Sequence, residues 1–232
     1  MENLKMKLIT NKLILGSFIL FCFFACTKDG DYSEYLKKAE KIYPGRPDSV
    51  VVSSGYNKAQ IVSLLSADPR VAKLGVYWNG RRDSIIASVA AADLNKRKAV
   101  DIPVIPEGIY TFELATFDKA GNRSVFTEKT GQIYGPAYSS GLVNRVVKSQ
   151  STVNGNPVIN WFAESDKDSP IFGVEVTYPK IGGDSLKIFT PRLTDVTVLV
   201  SAIPTGNFTI KTAYKPKNAI ETFYSAISTI SY

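Results

Sequence analysis

The chain has 232 residues, 44% of them apolar, and carries 28 basic and 21 acidic side chains for a net charge of +7. This is the composition of a globular protein rather than a disordered one, and its basic residues are spread out, with Lys96-Arg97-Lys98 the densest run, so no nucleic-acid partner is expected. There is no histidine, which excludes a His-based triad, a His general base and a His metal ligand.

Residues 1–25 read as a secretion signal. Lys5, Lys7 and Lys12 give the positive start, and Leu13–Phe24 is the apolar core. About 12 apolar residues are too few to span a bilayer. Cys22 lies inside that run, so the mature chain keeps at most Cys26, and neither an intramolecular disulfide nor a Cys metal site is expected. The core ends Phe23-Phe24-Ala25-Cys26, which resembles a bacterial lipobox, with Phe23 departing from the usual Leu. The resemblance implies that Cys26 carries a lipid and becomes the mature N-terminus, so that the membrane is a partner through this anchor. Residues 26–42 then form a polar tether. Acidic Asp29, Asp31 and Glu34 resemble the export signal of Bacteroidota surface lipoproteins, which implies an outer-membrane protein exposed at the cell surface. Ser33–Lys41 reads equally as two helical turns or as linker.

Tyr43-Pro44-Gly45-Arg46-Pro47 punctuates the start of a first folded unit. Short strands are expected at 49–53, 59–65, 73–78, 83–89, 99–105, along Ile105–Asp118, and at 124–131, with Ala90–Lys98 a helical turn or loop. Asn79-Gly80 is a strong hairpin signal. Seven strands at this spacing predict an all-β, immunoglobulin-like sandwich. The second half repeats the first at a constant offset of 98: Ile61 with Ile159, Asp68 with Asp166, Gly75 with Gly173, Pro106 with Pro204, Gly108 with Gly206, Tyr110 with Phe208. Two tandem sandwiches follow, over residues 43–134 and 135–232, on a short linker that limits bending.

Gly108-x-Tyr110-x-Phe112-x-Leu114 followed by Asp118-x-x-Gly121-Asn122, with Val76-Tyr77-Trp78-Asn79-Gly80, resembles the fibronectin type III domain. The resemblance makes Tyr110 the tyrosine-corner residue, with its hydroxyl bonded to backbone, and leaves Phe208 of the second copy unable to make that bond. It also places Trp161 as a strand-B core residue, where the first copy has Ser63. Ile42-Tyr43-Pro44-Gly45-Arg46-Pro47-Asp48-Ser49, Asp68-Pro69-Arg70-Val71, Val76-Tyr77-Trp78-Asn79-Gly80, Gly121-Asn122-Arg123-Ser124-Val125 and Leu142-Val143-Asn144-Arg145 are similar to the DUF4998 family of Bacteroidota lipoproteins. That similarity implies a surface lipoprotein beside nutrient-uptake systems and no particular activity.

No constellation points to catalysis. Glu164, Asp166 and Asp168 share a loop, but Lys167 interrupts them and no EF-hand pattern follows, so a solvated loop is expected and no metal site. Gly182-Gly183-Asp184 is a hairpin turn, since no Lys-Ser/Thr follows. No serine has a base partner in sequence. On strand 75–78 successive side chains face opposite ways, so one of Tyr77 and Trp78 points away from the core and is a candidate for ligand binding, against the alternative that it packs on a neighbour. Tyr134 and Tyr138 are expected to fill the domain junction, and Phe223-Tyr224 to begin the last strand. Ser49, Ser84 and Ser185 each follow Asp and precede an apolar residue, which resembles an O-glycosylation sequon of Bacteroidota; Asp-Ser is also what a turn entering a strand selects. The sequence thus leads to a non-enzymatic envelope lipoprotein without cofactor that binds or presents a ligand, glycan or a protein of an uptake or adhesion complex. The alternatives are a structural spacer and an undetected hydrolase.

Overall fold

The computed structural model describes residues 42–231. The secretion signal, Cys26 and the stretch 33–41 lie outside the described residues. Strands β1 (Asp48–Gly55), β2 (Lys58–Leu64) and β5 (Arg97–Ile102) form one sheet in the order β1-β2-β5. Strands β3 (Lys73–Trp78), β4 (Asp83–Ser88), β6 (Gly108–Phe117) and β7 (Thr127–Ile133) form a second in the order β4-β3-β6-β7. Ile61 and Val100 of the first sheet bury against Val76, Phe112 and Leu114 of the second, closing a fibronectin type III-like sandwich. The Asn79-Gly80 signal is a hairpin between β3 and β4, with positive φ at Asn79, Gly80 and Arg81. Between β4 and β5 the chain makes a 3-10 turn, Ala91–Asp93, and β5 begins at Arg97, earlier than expected. The stretch before Thr127 does not pair as a continuous strand, so β7 starts late.

The second sandwich follows helix α1 (Pro136–Ser140). Strands β8 (Val147–Val153), β9 (Asn156–Trp161) and β12 (Val196–Val198) pair as β8-β9-β12. Strands β10 (Ile171–Pro179), β11 (Ser185–Pro191), β13 (Asn207–Tyr214) and the two-residue β14 (Phe223–Tyr224) run β11-β10-β13-β14, with β15 (Ser228–Ser231) also on β13. The offset of 98 is preserved in the pairing itself: Gly75 faces Ala115 as Gly173 faces Ala213, and Val76 faces Leu114 as Val174 faces Thr212. Phe223-Tyr224 is a separate short strand, and the last strand begins only at Ser228. Trp161 is buried and its Nε1 donates to Thr197 Oγ1 at 2.8 Å, while Ser63 is buried in the first core with no partner for its hydroxyl.

The tyrosine corner is not where the resemblance placed it. Tyr110 is only half-buried at the start of β6, and among the described residues its hydroxyl meets no backbone carbonyl. Phe112, one inward position further along, fills the core instead. The tyrosine-to-backbone bonds belong to the second sandwich. Tyr178 donates to the Val200 carbonyl at 3.2 Å and Tyr214 to the Val143 carbonyl at 2.6 Å.

The segment leading into each sandwich is held by a buried Thr–Ser pair. Thr116 Oγ1 donates to the Gly45 carbonyl at 2.7 Å, and Ser124 Oγ accepts from Thr116 N–H at 3.0 Å. In the second sandwich Thr212 N–H donates to Ser225 Oγ at 2.8 Å, and Thr212 Oγ1 accepts from Arg145 N–H at 2.7 Å. Asp68 completes the first clamp: it accepts from Gly45 N–H at 2.8 Å and takes Arg70 Nε and Nη2 on its two oxygens. The Arg70 hydrogen bonds hold the Asp68 carboxyl far below the usual carboxylate range. Arg145 is buried in the second, bonded to the Phe162 and Thr194 carbonyls and to Asp195. Gly45, Asp68, Arg70, Ser124 and Arg145, all in stretches similar to DUF4998, therefore serve as structural clamps.

The two sandwiches meet over a built junction. Tyr134, Tyr138 and Phe223 stack pairwise with centroids 4.5, 5.2 and 5.2 Å apart. Glu107 accepts from Ala137 N–H and Tyr138 N–H, each at 2.7 Å, which suits a carboxylate at a helix start. Ser54 bridges to Ala219, and Glu221 accepts from Tyr56 N–H and from Lys58 Nζ.

Candidate functional site

β3 decides which aromatic faces outward. Leu74, Val76 and Trp78 alternate into the core, where the Trp78 ring lies 6.4 Å from Phe112. Lys73, Gly75 and Tyr77 therefore face away, so of the two candidates Tyr77 is the one on the outer face and Trp78 belongs to the core. Cross-strand pairing fixes their neighbours. Lys73 lies between Ser88 and Phe117, Gly75 between Ile86 and Ala115, Tyr77 between Ser84 and Glu113.

Gly75 is the floor of this face. A β-carbon there would stand 2.7 Å from Tyr77 Cε2 and 3.0 Å from both Ile86 Cδ1 and Phe117 Cε2. Three side chains from three strands thus fold over one glycine. They line an open groove of about 350 Å³ together with Lys73 and Asp118-Lys119-Ala120-Gly121, near the lower end of the range for ligand sites. Phe126 meets Tyr77 edge-on, with centroids 5.8 Å apart and planes at 87°. Arg81 and Arg123 stack on Phe126 at 3.9 and 4.2 Å. Arg81 is also paired with Glu113, whose hydrogen bond raises the Arg81 pKa further. Asp118 accepts from the Asn122 side chain at 2.7 Å and from its N–H at 2.8 Å, and its pKa is lowered by these bonds.

The equivalent face of the second sandwich repeats the glycine floor. A β-carbon on Gly173 would stand 2.4 Å from Phe189 Cζ, and the exposed rings of Phe172 and Phe189 lie 5.5 Å apart. Its two lysines share one carboxylate. Glu175 meets Lys187 and Lys211 at 3.0 Å each, and Lys211 lies 4.2 Å over the Tyr224 ring. Burial pushes the Glu175 carboxyl up, but the two lysines outweigh it and the net shift is downward.

The three Asp-Ser serines are exposed and apart from one another. Ser84 alone shares the Tyr77 face, as its cross-strand partner. Ser49 opens β1 with φ 49 and its N–H on Asp48 Oδ1 at 2.6 Å, and Ser185 opens β11 opposite Pro179. In the 164–168 loop, Glu164 and Asp166 side chains accept from backbone N–H groups of their own loop. Among the described residues no group of three His, Cys, Asp or Glu side chains is placed to hold a metal ion. Sequence reading missed Ile86, Phe117, Phe126, Arg81 and Arg123. Strand alternation anchored on Gly75 would have found the first two, because residues opposite each other in an antiparallel pair share a face.

A model of the family DUF4998, described as a domain of unknown function, matches residues 26–223. No curated protein matches the chain. Among solved structures it is similar to the crystal structure of chicken CNTN1 FN1-FN3 domains, with 14% identity over 82% of this chain and 68% of that one and a TM-score of 0.40. It is also similar to a two fibronectin type III domain segment from chicken tenascin, with 14% identity over 81% of this chain and 99% of that one and a TM-score of 0.32.

Proposed function

This chain belongs to the DUF4998 family, and from that premise we propose that it is a non-enzymatic cell-envelope lipoprotein, anchored through Cys26, that binds an extracellular ligand on its outer sheet face. The observation that carries this reading is the set of Tyr77, Ile86 and Phe117 converging on Gly75 at the surface. A buried position would explain these side chains by packing alone. On a solvent-facing sheet they form an apolar platform with a polar handle, the kind of surface that stacks on sugar rings or seats a partner. Glycan comes first among ligands because the platform is flat and open rather than a deep slot. No catalysis is included in the proposal: the chain has no histidine, and the carboxylates beside the platform, Glu113 and Asp118, are engaged by Arg81 and Asn122.

A second reading, a spacer that lifts a partner off the membrane, is favoured by the junction, where the aromatic trio and Glu221 tie the sandwiches together. A glycan array probed with the soluble chain from Thr27 separates the two. Binding that disappears in Tyr77→Ala supports the ligand reading. An array silent for the native chain, together with a protein crosslinked at its surface, supports the spacer. Detergent-phase partitioning that persists in Cys26→Ser would remove the anchor from the proposal.

A further inference from the structure

The rim of the Gly75 groove is cationic in a way its floor does not require. Lys73 and Lys119 line the groove, and Arg123 stands beside it, bridging through its backbone to Phe117. All three are exposed, and among the described residues none has an acidic partner. The one carboxylate lining the groove, Asp118, already has both oxygens engaged by Asn122. Asn122 is neutral and leaves the Asp118 charge in place, so three cations stand against one carboxylate and the groove keeps a positive surplus. The Arg123 guanidinium carbon lies 4.2 Å over the Phe126 ring, and among the described residues the guanidinium N–H groups have no hydrogen-bond partner. A planar guanidinium suits a bidentate carboxylate.

Two chemistries then converge on one surface: a flat aromatic floor, which accepts the C–H face of a pyranose ring, and a cationic rim, which accepts carboxylate. We propose that this groove binds an acidic polysaccharide, with a uronic-acid ring over Tyr77 and Phe117 and its carboxylate among Lys73, Lys119 and Arg123. An acidic peptide is the poorer fit. β3 and β6, which carry Tyr77 and Phe117, are hydrogen-bonded on both sides, so an extended chain could pair only along the outer edge of β4 and not over these two rings. The second sandwich supplies the contrast. Its two lysines share Glu175, so its aromatic face carries a smaller positive surplus and both of these cations are already paired. The proposal rests on the ligand-binding reading of this face and names the ligand class.

The test is calorimetric titration of the full-length protein in detergent with polygalacturonate, with its carboxyl-reduced neutral form, and with polyglutamate. Polygalacturonate is expected to bind, and its binding to weaken in about 0.5 M salt. Lys73→Glu and Arg123→Ala should each weaken it about five-fold or more, and Lys187→Ala, on the other face, should not. Unchanged melting curves confirm that the variants fold. Equal binding of the reduced polymer, lost in Tyr77→Ala, would overturn the acidic specificity and leave the ligand-binding face standing. Equal binding of polyglutamate, or no effect of Lys73→Glu, overturns the proposal. Silence for all three polymers, together with an array silent for every glycan, removes both readings.

Discussion

Tyr214→Phe should destabilise the second sandwich, and Tyr110→Phe should leave the first nearly untouched. Tyr214 is the last residue of β13, only 7% exposed, and its hydroxyl reaches the Val143 carbonyl at 2.6 Å across 71 residues of sequence. That bond pins the segment leading into the sandwich beside Asn144, which itself holds Thr212 and Ser225. Phenylalanine keeps the ring and its packing, so the loss is the net worth of one hydrogen bond. The bond is part-buried, which bounds the cost at about 1–1.5 kcal/mol. For a lobe of this size about 1 kcal/mol moves Tm by roughly 4–8 °C, and by about half that if the two lobes melt as one unit. Urea unfolding followed by circular dichroism should show a lower midpoint at constant slope. Tyr110 has no such bond, so its variant should stay within about 0.5 kcal/mol of the parent. A Tyr110→Phe loss equal to or greater than that of Tyr214→Phe would refute this assignment and restore the corner to the first sandwich.

Ser63 and Ser124 are both buried serines with opposite expectations. The Ser63 hydroxyl has no partner, so Ser63→Ala should leave stability unchanged or raise it by up to about 1 kcal/mol; Ser124→Ala strips the Thr116 N–H of its acceptor and should cost about 2 kcal/mol. Equal urea midpoints for the two variants would contradict this. The junction should weaken in alkali. Burial raises the pKa of Tyr134 and Tyr214 and takes Tyr138 up to about 12. A phenol whose folded pKa lies above its unfolded value contributes fully below the unfolded pKa and loses that contribution as pH climbs towards the folded one. Stability should therefore fall between about pH 10 and 12, with Tyr138→Phe blunting the fall. Parallel pH profiles for the variant and the parent would exclude the junction as the cause.

Strand alternation, turn residues and the offset of 98 were sufficient to give two tandem sandwiches, because each rests on local stereochemistry repeated along the chain. Even the inward set Leu74, Val76 and Trp78 follows from side-chain parity. Parity does not say how far a side chain reaches or what it meets. Tyr110 has the inward parity of Phe112 but sits near the strand's start, half-buried, and among the described residues its hydroxyl bonds no carbonyl. The partners that decided the rest are distant in sequence: Gly45 with Asp68 and Thr116, Tyr56 with Glu221, Tyr214 with Val143. The candidate face was decided in the same way. Tyr77 was visible in the sequence, but its company of Ile86, Phe117 and Phe126, gathered around a glycine with no β-carbon to hold them apart, exists only once β3, β4 and β6 lie side by side. Sequence periodicity determined which way each residue points, and only the packing of strands determined which residues share a surface and which charges on it remain unmatched.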